Sequence, residues 1–345
     1  MYYCGIDIAM KSSYIYITEK QGRKKTSGEI PTRADAFRQR LGPYVQAGLS
    51  LAIEAGNQTA WIHDLLVDIG AKVTVVNPAK VKLIAESRRK TDKVDAKILC
   101  DLLRLDGLPH PVHVPDKKTR SLRGLLVARR QLVSARTKLC NVVRGMLRQE
   151  GIQLPARYLT SFVGWQRLMG RKYAHEHIGV VLDAYYQSFV SLTRSIQALD
   201  KQLAKRERQD VRAARLKTMP KVGRIASLTL LAAVDQVDRF GTSRKLVSYS
   251  GLCPTVRSSG ERTEYGSISR EGRSELRAVW VQIAHLVVRD TSRSTARLRR
   301  WYSKVACHRG KRTAIVALAR KLLTIAYRIL KDQTVYCSSL VGKAA

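Results

Sequence analysis

β-Branched and aromatic residues concentrate in three short runs, 2 to 9, 13 to 19 and 24 to 30, separated by polar turns of which Lys20-Gln21-Gly22-Arg23 is the clearest. Runs of this length and composition predict strands, and connections this short predict an antiparallel meander. An amphipathic stretch from Arg33 to Val45 follows, then a strand at Ser50 to Glu54, a helix from Gln58 to Ile69, and a strand Lys72 to Val76 closed by Asn77-Pro78. Strands alternating with helices after a meander predict an α/β domain built on a mixed sheet. From Ala79 to Leu105 the pattern is helical, with room for a break at Ser87 to Lys90, and Gly107-Leu108-Pro109 ends it.

Beyond residue 110 the period changes. Leu182, Tyr185, Phe189, Leu192, Ile196, Leu199 and Leu203 recur at alternating spacings of three and four, the seam of a coiled coil. Leu122, Leu125, Leu132, Leu139, Val143 and Met146 repeat it more loosely, with Arg129 and Arg136 in seam slots. The two segments are expected to pair either as a hairpin within one chain or as a dimerisation arm, and the pattern suits both. After Arg215 the chain reads as mostly helical to Tyr336, broken by a Gly/Ser-rich loop from Gly251 to Gly272. Three domains are therefore expected: 1–110 α/β, 111–212 coiled-coil helical, and 213–345 helical.

Composition adds a partner. Lys and Arg number 63 against 27 Asp and Glu, a net charge of +36, with +5 over residues 1 to 110 and +31 over the remainder. Such an excess suits the phosphates of nucleic acid, with the greater share of contact expected from the C-terminal two thirds. No apolar run approaches the roughly 18 residues of a spanning helix, and no signal peptide precedes the first strand. A cytoplasmic, non-membrane protein is expected. The six cysteines are scattered without zinc spacing and read as reduced, mostly buried thiols.

Against this basic background four acidic residues stand out. Asp7 lies in Gly5-Ile6-Asp7-Ile8-Ala9, Glu54 closes Leu51-Ala52-Ile53-Glu54, and Asp92 and Asp95 share a helix three residues apart. A carboxylate inside an apolar strand is costly by several kcal/mol unless it is paired or binds a cation. Three elements can bring the four acids to one point, where they suit two Mg²⁺ ions, with Mn²⁺ as a substitute, in a phosphoryl transfer. By themselves Asp92 and Asp95 also read as solvated charges beside Lys93 and Lys97.

The arrangement resembles the RNase H-like fold in its RuvC-type form, over residues 1 to about 106. A second set of signatures extends the resemblance: Gly251-Leu252-Cys253-Pro254 to Ser259-Gly260, Gly266-Ser267-Ile268-Ser269 to Gly272, and Arg309-Gly310-Lys311 to Ala319-Arg320-Lys321-Leu322. With the carboxylates they resemble the DEDD transposases of the IS110 family, including its IS1111 branch, which are bridge-RNA-guided recombinases of bacterial insertion sequences. The resemblance implies a catalytic serine at Ser259, with Ser258 in reserve. It implies attack of that serine on the scissile phosphorus to give a 5′-phosphoserine link, supported by metal at Asp7, Glu54, Asp92 and Asp95. It further implies target and donor DNA, a structured bridge RNA, a nucleoid-associated location and a dimer or tetramer in which Ser259 acts in cis or in trans.

Leu216 to Ser227, with Pro220-Lys221-Val222-Gly223, is similar to the phosphate-binding turn of helix-hairpin-helix modules, Lys221 replacing the usual first glycine, and it suits a plain helix-helix turn equally well. Arg88, Arg89, Lys90, Lys221, Arg224, Arg257, Arg262, Arg270, Lys311 and Arg312 are the candidate phosphate contacts. Three other functions compete: an RNA-independent DNA invertase of the same family, a RuvC-like junction nuclease that cuts with water, and a non-catalytic nucleic-acid-binding protein.

Overall fold

A computed structural model describes residues 1–84, 91–173, 175–259 and 262–343, without the side chains of Glu176, Ser259, Arg262, Thr263 and Lys343. The chain forms two compact units, 1–115 and 116–345.

The first unit is a five-stranded mixed sheet. Strands β1 (Tyr2–Ile8), β2 (Ser12–Glu19) and β3 (Lys24–Pro31) form the meander, and β4 (Leu49–Glu54) and β5 (Lys72–Val76) add in parallel on the far side of β1. The order β3-β2-β1-β4-β5 is RNase H-like. Alternation gives the sheet two apolar faces. Ile6, Ile15, Ile17, Leu51 and Ile53 pack on one side against Phe37 and Leu41 of α1 (Ala34–Val45) and Ile62 and Leu66 of α2 (Thr59–Asp68). After α3 (Pro78–Ile84), helix α4 (Asp92–Arg104) covers the other side with Ala96, Leu99 and Cys100, which meet Ala52 and Tyr16.

In the second unit, α5 (Lys117–Gln149) and α7 (Glu176–Arg208) are both 33 residues long and pack together. Asp116 caps α5, its Oδ1 accepting from the Thr119 amide at 2.6 Å. Arg206 meets Ser121, Arg129 meets Asp200 and Arg136 meets Thr193, so the helices run antiparallel as a hairpin within the chain. The expected coiled coil is corrected here. Leu182, Phe189, Ile196 and Leu203 are buried at every seventh position, but in different surroundings. Leu182 and Phe189 join Trp165 and Leu168 of α6 (Phe162–Met169) in a core at the hairpin tip, whereas Leu203 belongs to the C-terminal core. Between them buried Ile196 is flanked by polar pairs, Arg129 with Asp200 and Arg136 with Thr193.

The C-terminal core is assembled on α13 (Lys311–Lys331), which buries Leu318, Leu322, Ile325 and Ile329. Around it lie α8 (Val211–Lys217), α9 (Arg224–Val234), α10 (Ser243–Tyr249), α11 (Ser274–Arg289) and α12 (Ala296–Arg309), and α14 (Leu340–Lys343) follows. The segment 251 to 272 is not a loop but an antiparallel ribbon of β6 (Pro254–Ser259) and β7 (Arg262–Ile268). Thr255, Val256, Tyr265 and Ile268 supply strand propensity that the glycines and serines around them obscure. Among the described residues no helix is long and apolar enough to cross a membrane.

Candidate functional site

Strands β1 and β4 run parallel with Gly5 opposite Ala52 and Ile6 opposite Ile53, a register that continues to Asp7 beside Glu54 at the strand ends. Both carboxylates are half-buried. Two-residue alternation puts them on the face of Gly5 and Ala52, which is the face that α4 covers. Helix α4 runs antiparallel to β1: the Cys100 thiol donates to the Tyr3 carbonyl at 3.2 Å, and Ala96 and Cys100 lie over Gly5. Passing from Ala96 back to Asp92 covers about 6 Å of helix, and passing from Gly5 on to Asp7 about 7 Å of strand. The N-terminus of α4 thus stands at the end of the sheet where β1 and β4 stop. Asp92 and Asp95 lie four residues before Ala96 and Leu99, just over one turn, and share their side of the helix.

Glycine at position 5 makes this approach possible. A β-carbon there would lie 2.0 Å from the Ala96 carbonyl oxygen and 2.5 Å from the Cys100 nitrogen. Thr91 caps α4 by accepting from the Val94 amide, and carboxylates in this first turn are favoured by the helix dipole. The Glu54 backbone is tied down by Thr59, whose hydroxyl donates to the Glu54 carbonyl at 3.3 Å and accepts from the Gly56 amide at 2.6 Å. Burial raises the thiol pKa of Cys100 under α4 and of Cys4 on the opposite face of β1, which keeps both protonated structural groups. Among the described residues no three His, Cys, Asp or Glu side chains stand close enough together to hold a metal ion. The donor set itself fits a hard divalent cation, being carboxylate oxygen throughout.

In the second unit, Ser258 and Ser259 end β6, with Ser258 opposite Thr263 and Ser259 opposite Arg262. The ribbon is exposed on both strands, Val256 and Tyr265 included, and its base is held tightly. Gly251 and Gly272 adopt left-handed φ values of 70° and 110°, and a β-carbon on Gly272 would meet the Tyr249 carbonyl oxygen at 2.3 Å. The Arg273 amide donates to the Tyr249 carbonyl at 3.1 Å, while Arg277 donates to the carbonyls of Ser250 and Arg270 at 3.2 and 3.1 Å.

Two family models match the chain in order. One, described as "Transposase" and built on IS110-type DEDD proteins, spans residues 4–151 and takes in all four carboxylates. The other, "Transposase IS116/IS110/IS902 family", spans 213–299 and takes in the ribbon. The chain belongs to the IS110 family of transposases. A probable family 20 transposase of Pseudomonas aeruginosa is 28% identical, with 88% of each chain covered. The transposase for insertion sequence element IS1111A of Coxiella burnetii is 26% identical, covering 85% of this chain and 80% of its own. That of IS1328 from Yersinia enterocolitica is 25% identical over 96% of this chain and 97% of its own.

The basic residues of the transposase fall into distinct settings. Arg257 and Arg270 are exposed on the ribbon and at its base, and Arg262 opens β7. Lys311 and Arg312 are exposed at the start of α13. Lys221 and Arg224 are exposed too, and each also pairs with a carboxylate, Lys221 with Asp290 at 3.1 Å and Arg224 with buried Glu207 at 2.5 Å. The turn between α8 and α9 forms with Lys221 itself at φ 64°, the left-handed conformation that glycine adopts more readily. Arg88, Arg89 and Lys90 lie outside the described residues.

One cluster in the transposase has no motif of its own. Arg239 stacks over the rings of Phe240 and Tyr249, with its guanidinium carbon 4.1 and 4.7 Å from their centroids. Arg273 Nε donates to the Tyr249 hydroxyl at 3.2 Å. Burial pushes the Tyr249 phenol up, but the Arg273 hydrogen bond and the charges of Arg273 and Arg239 outweigh it, so its pKa is lowered. The cluster fixes the last turn of α10 from which the ribbon departs. Its sequence signal is only an arginine directly after Gly272, indistinguishable from other arginines of the chain.

Proposed function

We propose that this transposase mobilises an insertion sequence by cutting and rejoining DNA strands, with its chemistry divided between the carboxylates of the first unit and the serine of the ribbon. The observation that carries the reading is the placement of Asp7 and Glu54 on adjacent strand ends under the face covered by α4, the helix that begins with Asp92 and Asp95. Asp7, Glu54, Asp92 and Asp95 would hold a divalent cation, for which Mg²⁺ is the natural choice. When bound, it would offset charge developing on the phosphoryl and departing oxygens.

Ser259 supplies the nucleophile. Its Oγ forms a bond to the scissile phosphorus as the bond to the 3′-oxygen breaks; the hydroxyl proton leaves with a base and the 3′-oxygen gains one. The 5′-phosphoserine ester keeps the phosphodiester energy, so the reverse attack by another 3′-hydroxyl rejoins strands without a nucleotide cofactor. Arg257 on β6 and Arg262, paired with Ser259 across the ribbon, flank the serine and bind phosphate oxygens, and exposed Arg270 binds the backbone at the ribbon base. A structured RNA paired to target and donor DNA supplies sequence choice, the protein reading duplex shape and backbone.

The test is transposition of a minimal element by purified full-length protein. Asp7→Asn and Ser259→Ala are each expected to abolish strand exchange, with DNA binding retained. Strand exchange by Ser259→Ala at the parental rate eliminates the serine mechanism. Sequencing of nucleic acid that copurifies with the protein tests guidance, and its absence from active protein selects the RNA-independent invertase.

A further inference from the structure

A cleft of about 250 Å³ opens between α5, α9 and α11 in the second unit. Its walls are apolar, formed by Leu126, Val127, Ile225, Ala233, Leu276 and Val279, yet four guanidinium side chains, Arg123, Arg129, Arg130 and Arg273, also line it against one carboxylate, Glu275. An apolar floor under an excess of cations selects an anion with an apolar body.

The four arginines are held differently. Asp200 grips Arg129 through both oxygens, at 2.6 and 3.3 Å, which fixes the plane of its guanidinium. Arg123 donates to the Ala232 carbonyl at 2.6 Å at the end of α9; burial and the nearby Arg273 charge push its pKa down to about 10. Like charges crowded in this way gain from an anion between them. Among the described residues Arg130 is tied to Glu275 alone, at 3.5 Å and half-exposed, so it can exchange that partner for a phosphate.

We propose that this cleft receives one unstacked nucleotide of the DNA strand handled by the ribbon, its base on the apolar floor and its phosphate on Arg130 and Arg273. The polymer's identity rests on the transposase reading above. A space this small is below the roughly 300 Å³ at which pockets for drug-sized ligands begin, which suits a single nucleotide and excludes a helix. The fixed Arg129 plane offers a surface on which a base can stack. The Thr229 hydroxyl gives its proton to the Ile225 carbonyl at 2.6 Å and can only accept from a base, whereas exposed Gln282 offers both a donor and an acceptor to a base edge.

Position supplies the link to catalysis. Arg273 both lines the cleft and holds Tyr249 at the ribbon base. A nucleotide that engages Arg273 therefore acts on the element that carries Ser259. Occupancy would fix the strand relative to the serine and report correct loading through the Arg273–Tyr249 contact.

The test uses full-length protein and a single-stranded oligonucleotide carrying 2-aminopurine at successive positions. Binding is expected to raise emission sharply at one position, as that base leaves its stack. Ala278→Leu, which narrows the cleft from an exposed lining position, and Arg130→Ala are expected to remove that rise and weaken single-strand binding about tenfold, the scale of one lost base contact. Affinity for blunt duplex and the melting temperature should remain at parental values. An unchanged emission profile in both variants overturns the proposal, as does a change confined to self-association, which would make the cleft an interface between protein chains. Parental strand exchange together with a flat emission profile would refute the cleft while leaving the transposase reading intact. An emission rise in a protein that exchanges no strands would do the opposite.

Discussion

Gly5 lies directly beneath Ala96, so close that a single β-carbon on the strand would press into the helix carbonyl at 2.0 Å. The obstacle is backbone, so no side-chain rotation relieves it. Gly5→Ala is expected to lift α4 from the sheet and destabilise the first unit by about 3 kcal/mol or more. It should reduce strand exchange even in the fraction that stays folded, because Asp92 and Asp95 move with the helix. Thermal melting and transposition assays of the same preparation check both effects.

Mixing Asp7→Ala with Ser259→Ala protein distinguishes two ways of supplying the nucleophile. Restored strand exchange in the mixture, with neither variant active alone, means that one chain's carboxylates work with another chain's serine. A mixture as inactive as its parts assigns both to the same chain.

A covalent protein–DNA adduct trapped under denaturing conditions is expected from the parent protein and from Ser258→Ala. Ser259→Ala should yield none. An adduct that disappears with Ser258→Ala and survives Ser259→Ala would move the nucleophile by one residue.

Acid should loosen the second unit first around α7 to α9. The Ser292 hydroxyl, followed by Lys221, holds the Asp290 carboxyl down to about 2. Burial raises Glu207 and Asp210, but ion pairs with Arg224 and Lys217 and with Arg212 prevail and lower both. A carboxylate whose folded value lies below its unfolded value stabilises the fold above the unfolded value and loses that contribution as pH falls through the folded one. Melting temperature is therefore expected to fall between the ordinary carboxylate range near pH 4 and about pH 2. Glu207→Gln should flatten part of that slope and lose about 1 to 3 kcal/mol at neutral pH.

Arg129 and Asp200 join the two long helices through a pair of hydrogen bonds, each side chain about three-quarters to two-thirds covered. A double-mutant cycle with Arg129→Met and Asp200→Asn is expected to give a coupling of about 1 kcal/mol, the upper range for a partly exposed pair. Coupling near zero would show that packing alone holds the hairpin.

The first unit was legible because its signals are local. Runs of β-branched residues, the Gly22 turn and the Asn77-Pro78 break place all five strands within a residue or two of where they stand. The placement of Asp7 and Glu54 on the sheet face that α4 covers follows from register and from a glycine whose role is steric, and neither is written in spacing. The second unit misled where one pattern serves two purposes. Leu182 to Leu203 keep a heptad rhythm because one side of α7 is buried throughout, yet successive positions meet a tip core, a stretch flanked by polar pairs and the C-terminal core. The ribbon was hidden for the opposite reason, since glycines at 251 and 272 that clamp its base read like those of a flexible loop. Cysteines follow their setting: Cys4, Cys100 and Cys140 are buried, whereas Cys307 and Cys337 are exposed.

The antiparallel hairpin returns the chain to where it left. Ser121 near the start of α5 touches Arg206 near the end of α7, and α5 stays on the C-terminal core through Arg130, so the hairpin from there to the tip is an excursion that leaves and returns at one side of that core. Matched removal of one heptad from each helix would shorten the excursion by about 10 Å and leave its attachment unchanged. Arm length is thus a dimension that can change independently of the core that presents the ribbon.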